Sequence, residues 1–161
     1  MSRWKEFLFT GAYTGYFPWA PGTAGTVPAV AIYFVEYLVF GPMLWLGNAV
    51  VVALLLYPSV RLCGAGERFF GVKDPPEVVL DEIIGYLIAV LFLPFNPFVA
   101  AGSFLLFRLF DIIKPWPAGK LQDLDGGVGI MVDDCVAGVY ALAVMVAVLA
   151  VLRYFGVHVY P

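Results

Sequence analysis

The chain has 161 residues, a length that suits one domain, expected to run over 1–161. Hydrophobic residues make up 62% and charged residues 13%, against about 45–50% and about 25% in an ordinary soluble domain. So apolar a chain cannot keep a polar exterior, which excludes a water-soluble protein. The net charge of −3 comes with no basic stripe, so nucleic acid is excluded as a partner.

The opening MSRWKEFLFTGAYTG pairs basic residues with an apolar follow-on. Gly, Thr and Pro soon interrupt it, and no small-residue cleavage site closes it, so it is expected to be retained and not to act as a signal peptide. PGTAGT, Pro21–Thr26, is expected to be a Gly-rich loop at a helix start, offering backbone N–H groups and two hydroxyls to an anion. The apolar runs Phe7–Val35, Tyr37–Val60, Ile83–Phe107 and Cys135–Leu152 contain no charge at all. Runs of about 18 or more apolar residues are the mark of membrane helices.

Breakers divide those runs. Gly41-Pro42 separates a helix near Ala24–Phe40 from one near Met43–Leu62. Cys63 and Arg68 are spaced C-x4-R, one residue short of a cysteine-phosphatase loop. Cys63 and Cys135 are isolated, so neither a disulfide framework nor a zinc site is indicated. LPFNP, Leu93–Pro97, separates a helix near Val78–Phe92, which carries Asp81 and Glu82, from one near Phe98–Ile113.

The segment FRLFDIIKPWP places Arg108, Asp111 and Lys114 at three-residue spacing, one helix edge bearing plus, minus, plus. Arg offers a planar fork to phosphate oxygens and Lys a compact charge; the structural alternative is a salt-bridge ladder. DLDGG at Asp123 has the DxD look of an aspartyl-phosphate nucleophile but lacks a preceding apolar strand. GGVG, Gly126–Gly129, lets the backbone pass close to its neighbours. The last helix is expected over about Asp133–Tyr154, opening on the paired aspartates Asp133 and Asp134.

The expected fold is therefore all-α, an integral membrane bundle of about five helices, two of them short or forming a tilted hairpin. With the N-terminus in the cytoplasm and every helix crossing, Arg3, Lys5, Arg61, Arg68, Lys73, Arg108, Lys114 and Lys120 fall on the cytoplasmic side. Only Arg153 falls opposite, as the positive-inside rule requires. The same layout brings Asp81, Glu82, Asp111, Asp133 and Asp134 to one depth, at the cytoplasmic edge of the apolar layer. Gly85 follows Asp81 by four residues and Gly138 follows Asp134 by four, so each acid shares a helix face with a position open to close approach.

Five gathered carboxylates repel one another and resist dehydration. Protonation relieves this, and so does a bound cation. Oxygen ligands without His or Cys suit a hard ion, Mg²⁺ above all, which usually bridges carboxylates to phosphate. The single histidine, His158, is expected beyond the last helix on the opposite side. Caps and dipole partners account for acids at helix N-termini, but Asp111 is at a helix C-terminus, the wrong end for that role. With cysteine, aspartyl and histidine nucleophiles set aside, metal-assisted attack of water on a phosphate remains. A transporter or ion pathway built on intramembrane carboxylates is the alternative, and depth discriminates, because it needs acids near the midplane. A CDP-alcohol-type phosphotransferase needs a D-G-x-x-A-R block, and DGGVGIM has no Arg.

PGTAGT, DEIIG, FRLFDIIKPWP and GGVGIMVDDCVAG, in this order and spacing from about Gly11 to Gly138, resemble the four signature blocks of the phosphatidylglycerophosphatase A family. Thr26 stands where Ser is the more familiar end of the first block, and the hydroxyl survives. The resemblance implies a Mg²⁺-dependent, multi-pass enzyme of the bacterial inner membrane. It implies removal of the terminal phosphate of phosphatidylglycerophosphate, giving phosphatidylglycerol and inorganic phosphate. By the same resemblance Asp81, Glu82, Asp111, Asp133 and Asp134 are the catalytic and metal-site candidates, and Arg108, Lys114, Thr23 and Thr26 the candidates for holding phosphate. The number of metal ions, the identity of the general base and the oligomeric state stay open at this point.

Overall fold

The computed structural model describes residues 3–157 and 159; His158 lies outside the described residues. Its long helices are α2 (Pro21–Phe40), α3 (Leu44–Phe70), α5 (Pro97–Ile113) and α7 (Gly127–Tyr154). The half-length α4 (Leu80–Ala89) lies among them, with two short helices outside, α1 (Arg3–Phe9) and α6 (Ala118–Leu121). Two stretches, Pro21–Phe70 and Gly127–Tyr154, are long and apolar enough to cross a membrane. At 1.5 Å per residue, α3 and α7 reach about 40 Å and α4 only about 15 Å, against a hydrocarbon layer of about 30 Å. Side chains such as Leu38, Leu54, Leu105 and Val151 face outward, where a soluble protein would place polar groups. The fold is an all-helical membrane bundle.

Helix starts follow local chemistry. Pro21 opens α2 and Pro97 opens α5, positions where the missing N–H is no loss and the fixed φ suits a first turn. Asn96 caps α5 by accepting from the Phe98 N–H at 2.8 Å. Several boundaries differ from expectation: α3 continues past Leu62 to Phe70, and α4 is shorter than the expected Val78–Phe92. Helix α2 begins at Pro21, so PGTAGT forms its first turns and not a loop ahead of it. Helix α7 begins at Gly127, so Asp133 and Asp134 lie about two turns into it, already inside the bundle. GVG propagates a helix here because neighbouring backbone packs directly against it; Gly127 lies against the Val60 carbonyl of α3.

Helix α4 is the centre, packed against α2, α3, α5 and α7. Most of its side chains are buried, including Ile84, Tyr86 and Leu87. Because it stops within the apolar layer, its last carbonyls cannot turn to water and need donors from protein. The Asn48 side-chain amide donates to the Leu87 carbonyl at 3.0 Å, and the Tyr33 hydroxyl donates to the Leu93 carbonyl at 2.9 Å, just beyond the helix. At its other end the Val79 N–H donates to the Phe9 carbonyl at 2.9 Å, tying the start of α4 to the N-terminal segment. Helices α4 and α7 cross at Gly85 and Gly138: a Cβ on Gly138 would strike the Gly85 carbonyl, and one on Gly85 would meet the Asp134 carbonyl at 2.9 Å. Each glycine is one turn beyond an acid, so the crossing fixes Asp81 and Asp134 side by side.

Candidate active site

The helix directions put the start of α2, the end of α3, the start of α4, the end of α5 and the start of α7 at one end of the bundle. A cavity of about 170 Å³ lies there, lined by Asp74, Pro75, Pro76, Val78, Asp81, Glu82, Asp111, Lys114, Asp133 and Asp134. All five acids expected from the sequence are in its wall. Asp81 and Glu82 come from the first turn of α4, Asp111 from the last turn of α5, and the Asp133–Asp134 pair from α7.

The carboxylates divide into two sets. Ligand oxygens of Asp81, Glu82 and Asp134 lie within 4.8 Å of one another. Asp81 Oδ1, Glu82 Oε2 and Asp134 Oδ2 are buried with no hydrogen-bond partner. Unpaired carboxylate oxygens out of water are costly. Three carboxylates gathered this closely, each with an unpartnered oxygen and with no sulfur or imidazole among them, form the donor set a small hard cation requires. These residues fit Mg²⁺.

The second set is neutralised by protein. Arg108 holds Asp111 at 2.6 Å within α5 and lies 3.7 Å from Glu82. Lys114 does not continue the helix edge. It caps α5 in a left-handed conformation, φ +46°, and turns its ammonium to Asp133 Oδ2 at 2.5 Å and to Gln122 Oε1 at 2.9 Å. Burial works against the Lys114 charge, but the bond to Asp133 and the surrounding carboxylates outweigh it and hold the ammonium above its ordinary pKa.

Three expected residues are absent from the cavity wall. Arg108 stands behind Glu82 and Asp111, its guanidinium nitrogens 2.8 and 2.9 Å from where a Gly22 Cβ would lie. The missing side chain at Gly22 thus lets the first turn of α2 approach the guanidinium. Thr26 is buried and its hydroxyl donates to the Gly22 carbonyl at 2.7 Å, one turn back in its own helix. Thr23 is half-buried on the same turn. Asp123 and Asp125 are exposed and outside the cavity. Two residues were not anticipated: Asp74 in the wall, and Gln122 as a partner of Lys114. A D-P-P turn a few residues ahead of an acid-bearing helix was the available signal for Asp74.

The family profile described as Phosphatidylglycerophosphatase A matches residues 7–149. The chain belongs to the phosphatidylglycerophosphatase A family. It is 36% identical over its whole length to Phosphatidylglycerophosphatase A of Escherichia coli K12, covering 88% of that protein. It is 32% identical to Phosphatidylglycerophosphatase A of Haemophilus influenzae, over 89% of this chain and 87% of that one. It is 40% identical to a Bacteroides thetaiotaomicron protein named, provisionally, a phosphatidylinositol-3-phosphatase, over 86% of this chain and 89% of that one. No solved structure matches the chain. Membership makes this membrane bundle a phosphatase, and the acids gather at one end of it and not at mid-depth, where an ion pathway would need them.

Proposed function

We propose that this member of the family hydrolyses the terminal phosphate of phosphatidylglycerophosphate, releasing phosphatidylglycerol and inorganic phosphate, with Mg²⁺ held by Asp81, Glu82 and Asp134. The observation that supports it is the set of three buried carboxylates with unpartnered oxygens, in a cavity that also presents the Lys114 ammonium. A cavity of about 170 Å³ has room for a phosphoryl group but not for acyl chains. The chains therefore stay in lipid and only the headgroup enters, which is why the site belongs at the end of an apolar bundle. The excess of Lys and Arg expected at that end supports placing it, by the positive-inside rule, at the cytoplasmic face of a bacterial inner membrane.

Asp81, Glu82 and Asp134 would hold Mg²⁺, which when bound would supply positive charge to polarise the phosphomonoester and lower the pKa of water. Lys114, oriented by Asp133 and Gln122, stabilises the charge that builds on the phosphoryl oxygens. Arg108, fixed by Asp111 beside the first turn of α2, adds a second positive group near the N–H donors of that turn. A carboxylate outside the metal group takes the proton of the attacking water.

The test is purified protein with phosphatidylglycerophosphate, phosphatidylinositol 3-phosphate and a soluble phosphomonoester, measuring released phosphate with and without a chelator. Release should be fastest from phosphatidylglycerophosphate, stop with chelator and return with Mg²⁺. A preference for the inositol lipid would replace the substrate. Failure of Mg²⁺ to restore release would defeat the metal assignment.

A further inference from the structure

Six carboxylates line the cavity, and five of them are already engaged. Asp81, Glu82 and Asp134 converge as the candidate metal group, Asp111 is held by Arg108, and Asp133 by Lys114. A carboxylate locked against a fixed cation has one oxygen occupied and its orientation set by that partner. The sixth is Asp74. Among the described residues it has no ion pair and no side-chain hydrogen bond, and it is the one acid of the six on a loop, exposed at the rim.

That loop is built to hold it there. Asp74 takes a left-handed backbone, φ +49°, directly before the buried Pro75. The Pro75 carbonyl accepts from the Val78 N–H at 2.9 Å, closing the turn. Lys73 donates to the Asp123 carbonyl at 2.9 Å, tying the turn to the segment that follows α6. A non-glycine residue in this region of φ is uncommon, and such positions collect where chemistry is done. The charged groups around Asp74 are Lys73 on its own loop, Asp111 and Lys114 at the end of α5, Asp133 and Asp134 on α7, and Asp81 and Glu82 on α4. Desolvation of its carboxyl pushes its pKa above the ordinary value, and Lys114 pulls it back only in part.

We propose that Asp74 is the general base of the hydrolysis, an assignment that rests on the function proposed above. As the water oxygen forms its bond to phosphorus, one water proton passes to the Asp74 carboxylate. The other stays on the departing inorganic phosphate. The phosphorus–oxygen bond to the glycerol breaks with its electron pair on the glycerol oxygen, which takes a proton from solvent. Asp74, at the rim, returns its proton to solvent, and atoms and charge balance.

The experiment compares wild type, Asp74→Asn and Asp74→Glu, each as full-length protein in detergent micelles with phosphatidylglycerophosphate. It reads kcat and KM across pH, and Mg²⁺ affinity by calorimetry. Asp74→Asn should lower kcat by about 10²–10⁴-fold, the usual range for a lost general base. It should leave KM and Mg²⁺ affinity within about threefold and abolish the acid-side fall of the kcat profile, while Asp74→Glu should recover much of the rate. The assignment is overturned if Asp74→Asn keeps kcat within about threefold of wild type, keeps the acid-side fall, or loses Mg²⁺ binding. A wild type that releases no phosphate defeats the function reading instead, and the assignment falls with it.

Discussion

Lys114 reaches across from the end of α5 to Asp133, whose side chain is 3% exposed while that of Lys114 is 27% exposed. Removing the ammonium alone leaves a buried carboxylate without its cation, which costs about 3–5 kcal/mol in a fully buried pair. The exposure of Lys114 reduces this to about 1–3 kcal/mol. Lys114→Met should therefore lower both the melting temperature and the rate of phosphate release. Adding Asp133→Asn should recover most of the stability and none of the rate, as thermal melts and phosphate assays on the two variants will show. Asp134 answers differently, because it is one of the three gathered carboxylates proposed to hold Mg²⁺. Asp134→Asn should reduce Mg²⁺-dependent release by about 100-fold or more without preventing membrane insertion. Near-normal turnover would remove Asp134 from the metal site.

At the scale of elements, the site depends on how closely α4 and α7 approach. Gly138 lies against the Gly85 carbonyl, and backbone, unlike a side-chain tip, cannot swing aside. Gly138→Val should cost about 3 kcal/mol, the upper end of ordinary overpacking. It should also separate Asp81 from Asp134, so Mg²⁺ affinity measured by calorimetry should fall although no ligand has changed. Both glycines, and their place one turn beyond an acid, were legible in the sequence. The entry of α7 six residues before Asp133 was not, because GGVG has poor intrinsic helix propensity and is held helical by the backbone packed against it. PGTAGT likewise resembles a loop by composition, yet Pro21 is a favourable first residue for the helix that includes it.

On the scale of the whole molecule, a half-length helix is held at the centre of longer ones, its start bearing acids and its end closed by Asn48 and Tyr33. A metal bound between α4 and α7 ties two elements together, so it should stabilise the native bundle by mass action. Mg²⁺ at about 100 times its Kd should add about 2.7 kcal/mol. Wild type should melt at higher temperature with Mg²⁺ than with chelator, and Asp134→Asn should show little difference. Orientation is testable separately: cysteines placed at Arg68 and Lys120 should both be labelled from the cytoplasmic side. Labelling from opposite faces would overturn the orientation.

The sequence by itself determined that the chain lives in a membrane, because 13% charged residues cannot cover a water-exposed surface. It also placed the breaks at Gly41-Pro42 and Leu93–Pro97, and brought Asp81, Glu82, Asp111, Asp133 and Asp134 to one end through alternating helix directions. Only the tertiary structure decided which acids meet which cations. That depends on how Lys114 leaves α5, how closely α4 and α7 cross at Gly85 and Gly138, and where the 71–79 turn brings Asp74. Periodicity along one helix carries no record of the neighbour it will face. For that reason the division of six carboxylates into a converging group, two ion-paired partners and one unpaired acid at the rim exists only in the folded bundle.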